Sequence, residues 1–210
     1  MNKTLPARLA WLLLAASLPL LGGCFGAAAV SLGAGTLIAT DRRPAETYVT
    51  DEGIEMRAAA RIRDTIGERG TVHVTSYNRS ILLTGSVADG AAKAEAERQA
   101  ASVPNVKSIT NEVEVAGPAS YTGDTYITTK VKARFVDSNK FSANHVKVVT
   151  EGGVVFLLGL VTQGEADAAV EVARTTAGVR KVVRVFEIIS DAQARQVDAQ
   201  PAEKKPTAKP

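Results

Sequence analysis

The chain has 210 residues, 45% of them hydrophobic and 22% charged, with a formal net charge of +3, one cysteine and two histidines. That length holds one ordinary domain or two small ones. The charge falls close to neutral once Lys3 and Arg8 are set aside with the leader described below, so nucleic acid is not an expected partner. A lone cysteine and two histidines give poor support to a Cys/His metal site, and no cofactor is expected.

Lys3 and Arg8 precede an almost wholly apolar run, residues 9–21, containing Trp11, Leu12, Leu13, Leu14, Leu18 and Leu20. The run is too short to span a bilayer and suits the central part of an export signal. Leu21-Gly22-Gly23-Cys24 then resembles a lipobox, the site at which bacterial lipoproteins are diacylated on the cysteine sulfur and cut just before it. The resemblance implies that residues 1–23 are a lipoprotein signal peptide and that Cys24 becomes the lipidated first residue. A disulfide is the other use of a cysteine, and the sequence offers no second cysteine to pair with. Each buried acyl methylene contributes about 0.8 kcal/mol, so several chains anchor a protein stably without a spanning helix. Phe25 stands where lipoproteins kept at the inner membrane commonly carry Asp, which favours the outer membrane by the same resemblance.

Residues 24–45 follow as a tether: Gly/Ala-rich through 25–39, then Thr40-Asp41-Arg42-Arg43-Pro44, with no usable periodicity. Over 46–117, Ile54, Ala58, Ile62 and Ile66 recur at four-residue spacing behind Asp51, predicting an amphipathic helix with Asp51 as its N-cap. An alternating strand at Val72-His73-Val74-Thr75, a turn at Asn78-Arg79-Ser80 and a second strand make a hairpin. A helix over 90–102 follows, with Ala94 set for close approach to the sheet and Asn105 ending it in the left-handed conformation. A last strand covers 106–115. Over 118–190 the order repeats: Ile127, Val131 and Phe135 behind Asp124, then a strand at Val146-Lys147-Val148-Val149 and a turn at Glu151-Gly152-Gly153. A second strand follows, then a helix over 164–177 with Ala168 against the sheet, Gly178 as the stop, and a last strand over 179–189. Gly85 falls on Gly159, Val87 on Val161 and Ala92 on Ala166, so one design is used twice. Each copy reads as α-β-β-α-β, a three-stranded sheet with two helices packed on one face, an α+β fold. Residues 191–210, rich in Ala, Gln, Lys and Pro, are predicted to be a disordered tail that stays solvated or touches anionic surfaces.

The element order, "ILLTGSV" at 81–87, "FLLGLV" at 156–161, "YITTKVKARF" at 126–135 and "VTEGGVVFLLGLVTQ" at 149–163 resemble BON domains. Together with the lipobox they resemble the outer-membrane lipoproteins of Gram-negative bacteria that carry two such domains. The first copy departs in having Pro104-Asn105 where the second has Ala177-Gly178. The resemblance implies a non-catalytic protein facing the periplasm that binds anionic phospholipid, of the phosphatidylglycerol type, and helps maintain outer-membrane integrity. Envelope assembly or division proteins are its implied further partners.

The residues give independent grounds for placing the lipid site. With Ile127, Val131 and Phe135 turned to the core, the opposite face of the 124–138 helix carries Tyr126, Thr129, Ala133 and Val136, with Lys130 and Lys132 on its rims. An apolar strip with basic edges suits contact with anionic headgroups. Tyr126 is placed to sit at headgroup depth, its ring apolar and its hydroxyl wet. In the first copy, Glu52, Glu55, Arg57, Arg63 and Asp64 dominate the outer face. Residues 46–118 carry eight Lys/Arg against eleven Asp/Glu, and residues 119–190 nine against seven. The second domain is therefore the lipid-facing candidate. Two roles fit its strip: membrane contact, or packing of Tyr126 and Val136 against the other domain. A different reading makes the chain a periplasmic scaffold that recruits protein partners through its acidic first domain. No enzyme is expected, because His73 and His145 read as strand residues at non-equivalent positions and no nucleophile elbow or phosphate loop is present.

Overall fold

The computed structural model describes residues 41–115 and 123–199. The leader, Cys24, the tether up to residue 40 and the end of the tail lie outside the described residues. The first domain comprises α1 (Ala45–Ile66), β1 (Gly70–Tyr77), β2 (Ser80–Val87), α2 (Gly90–Ala101), β3 (Ser108–Asn111) and β4 (Glu114–Val115). The second comprises α3 (Asp124–Ser138), β5 (Lys147–Glu151), β6 (Val154–Val161), α4 (Gln163–Arg174) and β7 (Lys181–Ile188). A further helix, α5 (Asp191–Asp198), closes the described chain.

Each sheet is mixed. β2 runs antiparallel to β1 and parallel to both β3 and β4, which form one interrupted strand beside it. β6 holds the same central place between antiparallel β5 and parallel β7, and there the last strand is continuous. The helices cover one face of each sheet because their apolar residues fall on one stripe. Ile54, Ala58, Ile62 and Ile66 of α1 and Ala92, Ala96 and Ala100 of α2 bury against Ile81, Leu83 and Val87. Ile127, Val131 and Phe135 of α3 and Ala166, Ala169 and Ala173 of α4 bury against Val155, Leu157 and Val161. The alanines facing the sheet are these, not Ala94, which is exposed, or Ala168, which is half-buried. Gly85 and Gly159 mark the same place in both copies. A Cβ would stand 2.2 Å from the Thr71 carbonyl oxygen at Gly85 and 2.3 Å from that of His145 at Gly159, so only glycine lets the neighbouring backbone approach.

Five expectations are corrected here. Asp51 is not an N-cap: α1 begins six residues earlier, after Pro44, because Pro is well suited to a helix start and Tyr48 in this added stretch meets the Arg43 guanidinium. Residues 42–45 are therefore not tether; Arg42 and Arg43 are buried. His145 lies in a 3-10 turn, Ala143–His145, ahead of β5. The tail is helical over Asp191–Asp198, opened by a capping box between Ser190 and Gln193 and seated by buried Ala194. The helices α2 and α4 also stop earlier than expected, leaving Asn105 (φ 70°) and Gly178 (φ 100°) in the loops before the last strands.

Candidate lipid-contact site and domain junction

Both hairpins close with two-residue turns whose central residues all have positive φ: 51° and 64° at Asn78 and Arg79, 58° and 76° at Gly152 and Gly153. That geometry matches the twist of the strands. An aspartate of the preceding helix clamps each turn. Asp124 accepts from the backbone N–H groups of Gly152 and Gly153, both at 2.8 Å. Asp51 accepts from those of Asn78 (2.8 Å) and Arg79 (2.7 Å), and also from Ser76 Oγ (2.7 Å) and Arg43 Nη1 (2.8 Å). The aspartates that looked like helix caps are thus turn clamps, equivalent in the two copies.

On α3, Ile127, Val131 and Phe135 are 4%, 0% and 1% exposed, and Phe135 meets Phe141 edge to face at 5.0 Å between ring centroids. The other face is open. Tyr126 and Val136 are 68% and 63% exposed, and Thr129, Lys132 and Ala133 are exposed beside them. Neither Tyr126 nor Val136 packs into the apolar cluster shared by the domains. Lys130 is half-buried; its Nζ donates to the Ala177 carbonyl at 3.0 Å and stands 5.1 Å from the Tyr126 ring centroid, a cation–π pair. Lys132 makes no side-chain contact among the described residues. The sequence-predicted strip is therefore one contiguous exposed face, with one lysine fixed and one free. On α1 the structure adds exposed Val49 (68%) and Met56 (73%), which the charge-dominated reading of that helix passed over.

The two domains lie within one compact unit and meet through the sheet faces that carry no helices. Tyr77 and Leu82 of the first domain cluster with Phe156, Leu158 and Leu160 of the second. Polar pairs surround them: Lys147 Nζ with Glu55 at 3.1 Å, His73 Nδ1 with Glu151 at 2.8 Å, and Lys107 Nζ with Glu187 at 2.9 Å. An open cleft of about 720 Å³ beside them is lined by Val113, Val115, Val154 and Phe156, with lysines and glutamates both represented, so it carries no selective positive charge.

A second polar cluster involves residues far apart in sequence. Arg42 donates to both Glu165 oxygens (2.6 and 3.0 Å), both Asp198 oxygens (2.8 Å each) and the Leu160 carbonyl (3.0 Å). Burial alone would lower the pKa of its guanidinium, but the hydrogen bonds to Asp198 and Glu165 outweigh this and hold it above its ordinary value. Burial would raise Glu165; the Arg42 hydrogen bond and the Thr162 N–H pull it below the usual carboxylate range. Asp198 is lowered mainly by its bond to Arg42. His145, 3.5 Å from Glu165 and 3.8 Å from Asp198, is lowered by burial first and by Arg42 second, and so is kept neutral. Arg43 stacks 4.0 Å over the Tyr77 ring centroid and 5.1 Å from that of Tyr48. Burial first, then the Asp41 carboxylate, push the Tyr77 hydroxyl well up. In the sequence Arg42 and Arg43 sit in the polar run Thr40-Asp41-Arg42-Arg43-Pro44, and nothing there marked them or their partners.

Two α-β-β-α-β units with matching turn clamps define a tandem-repeat α+β protein. The BON domain family matches residues 50–117 and 123–190, and the chain belongs to that family. It is 35% identical over 172 residues to the outer membrane lipoprotein DolP of Haemophilus influenzae, covering 78% of this chain and 89% of that protein. It is 37% identical over 154 residues to a 21 kDa hemolysin of Actinobacillus pleuropneumoniae (71% and 79% covered). It is 28% identical over 156 residues to the osmotically-inducible protein Y of Escherichia coli (71% and 78% covered).

Proposed function

We propose that this chain is a non-catalytic outer-membrane lipoprotein facing the periplasm that binds anionic phospholipid through its second BON domain and helps maintain outer-membrane integrity. In this reading residues 1–23 are the signal peptide, Cys24 carries the diacylglyceryl anchor, the two domains are 46–117 and 118–190, and the headgroups include phosphatidylglycerol. The observation that carries it is the exposed α3 face: Tyr126, Thr129, Ala133 and Val136 flanked by Lys130 and Lys132. Apolar side chains enter the headgroup boundary while basic edges draw anionic lipid, each cation near the surface contributing about 1 kcal/mol. Likeness to a protein named as an outer membrane lipoprotein supports the location. Among the described residues no helix is long and apolar enough to cross a membrane, which fits anchoring through lipid.

The test is co-sedimentation of the 41–199 span with vesicles of phosphatidylglycerol or of phosphatidylcholine, with and without Tyr126→Glu, circular dichroism confirming the fold. Binding to the anionic vesicles alone, lost on substitution, is expected. Equal pelleting with both vesicle types would sink the lipid reading.

One observation favours the other reading, a periplasmic scaffold for envelope assembly or division proteins: Val49 and Met56 stand exposed on α1 in the acidic first domain. In-cell photocrosslinking from position 56 separates the two. A discrete protein adduct supports the scaffold, and lipid adducts alone count against it.

A further inference from the structure

We infer that the notch between the two BON domains is a receptor for the chain's own Arg42–Arg43 segment, which staples the domains into one orientation. Adjacent arginines reach in different directions. Among the described residues Arg42 binds the second domain and α5 alone, through Glu165, Asp198 and the Leu160 carbonyl. Arg43 pairs with its strap neighbour Asp41 at 2.6 Å and enters the first domain through Asp51 at 2.8 Å and the Tyr77 ring at 4.0 Å. Both side chains are almost wholly enclosed, 4% and 5% exposed. A buried guanidinium stays buried only while its carboxylates remain in place, so each arginine fixes the position of the domain it enters. Neighbouring residues in one strap cannot separate, and the domains they hold cannot separate either.

The remaining junction is modest. From the first domain only Tyr77 and Leu82 join the shared apolar cluster, and Arg43 covers one of those two. The pairs of Lys147 with Glu55, Lys107 with Glu187 and His73 with Glu151, and the Asn78 and Thr84 hydrogen bonds to those last two glutamates, lie at the partly exposed rim, where each such contact contributes little. The strap also explains why Asp198 belongs to a helix at all: α5 carries the carboxylate that closes the far side of the Arg42 site.

The experiment is a distance measurement between spin labels in the full chain, with Met56→Cys in the first domain, Val136→Cys in the second and Cys24→Ala so that only these two sites are labelled. A single narrow distance peak is expected for this parent, and loss of that peak to a broad distribution for Arg42→Gln/Arg43→Gln. Arg42→Gln alone, which leaves the Asp51 clamp whole, is expected to broaden it as well, and decides the matter if the double variant loses its circular dichroism signal. Lys147→Gln, which breaks the partly exposed contacts of its Nζ to Glu55 and the Ser76 carbonyl, should leave the peak narrow. A narrow peak in Arg42→Gln, or equal broadening by Lys147→Gln, overturns the inference. The readout contains no lipid, so it stands or falls apart from the proposed function.

Discussion

The aspartate at the head of each repeat is the same device under different loads. Asp124 holds a Gly-Gly turn and accepts two backbone N–H groups. Asp51 holds an Asn-Arg turn, in which Arg79 at φ 64° occupies a conformation that costs an L-residue roughly 1–2 kcal/mol. Asp51 also receives Ser76 and the guanidinium of Arg43. The first copy has thus turned a local clamp into part of the junction between domains. In the second copy the clamp stays local to its turn. The two copies share the clamp, and the buried Arg43 guanidinium gives the first one a second task.

The largest effect expected from this comparison is in the clamps themselves. Asp51→Ala leaves buried Arg43 with Asp41 as its remaining carboxylate and uncovers two turn amides and the Ser76 hydroxyl, at a cost of about 3 kcal/mol, the low end for a broken buried ion pair. Asp124→Ala uncovers only two turn amides and should cost about 1–3 kcal/mol. Urea unfolding of the two variants measures the gap; equal costs would break the comparison. Next come the paired glycines. Gly85→Ala and Gly159→Ala each force a carbonyl away, costing about 1–3 kcal/mol, and Gly85 should be the worse because its φ of 107° is strained for any side chain.

The order of elements was legible because each copy alternates between two periods, four-residue spacing at Ile54–Ala58–Ile62 and two-residue spacing at Val72–Val74, and because the copies check one another. The α3 strip was legible for the same reason: once Ile127, Val131 and Phe135 are turned inward, the helix period fixes what faces out. Asp51 was misjudged because an N-cap and a turn clamp look alike in sequence; the difference lies in a hairpin 25 or more residues away. The junction was illegible because Arg42 finds its partners 123 and 156 residues along the chain. Composition marked Ala, Gln and Lys after 190 as unable to bury a core, but one alanine and one aspartate sufficed to seat α5.

Acidification sharpens the contrast between the two halves of the staple. His145 is lowered by burial and by Arg42, so the folded state favours its neutral form. Its contribution is complete above its ordinary pKa of about 6.5 and is lost as pH falls below that value. Glu165 and Asp198 are also lowered, so theirs is present above about 4.3 and 3.9 and disappears as pH falls through the depressed values. The second-domain half of the staple should therefore weaken first as pH falls below about 6.5, through His145, before its carboxylates protonate. Replacing His145 by Gln should flatten the fall in Tm over that interval, with the carboxylate limb below it retained. An unchanged slope in His145→Gln would mean that the histidine is not coupled to the junction.

The smallest effects belong to the two exposed helix faces, and there the comparison is sharpened by what does not change. Met56→Ser on α1 and Val136→Ser on α3 remove side chains that are 73% and 63% exposed, so both should leave stability within about 0.5 kcal/mol of the parent. Their difference should appear only in binding. If α3 is the face that meets lipid, Val136→Ser weakens retention on phosphatidylglycerol vesicles and Met56→Ser leaves it unchanged, measured on the same preparations that gave equal Tm values. The reverse pattern would move the membrane face to the first domain, where the acidic side chains around Met56 would have to be overcome by apolar contact alone.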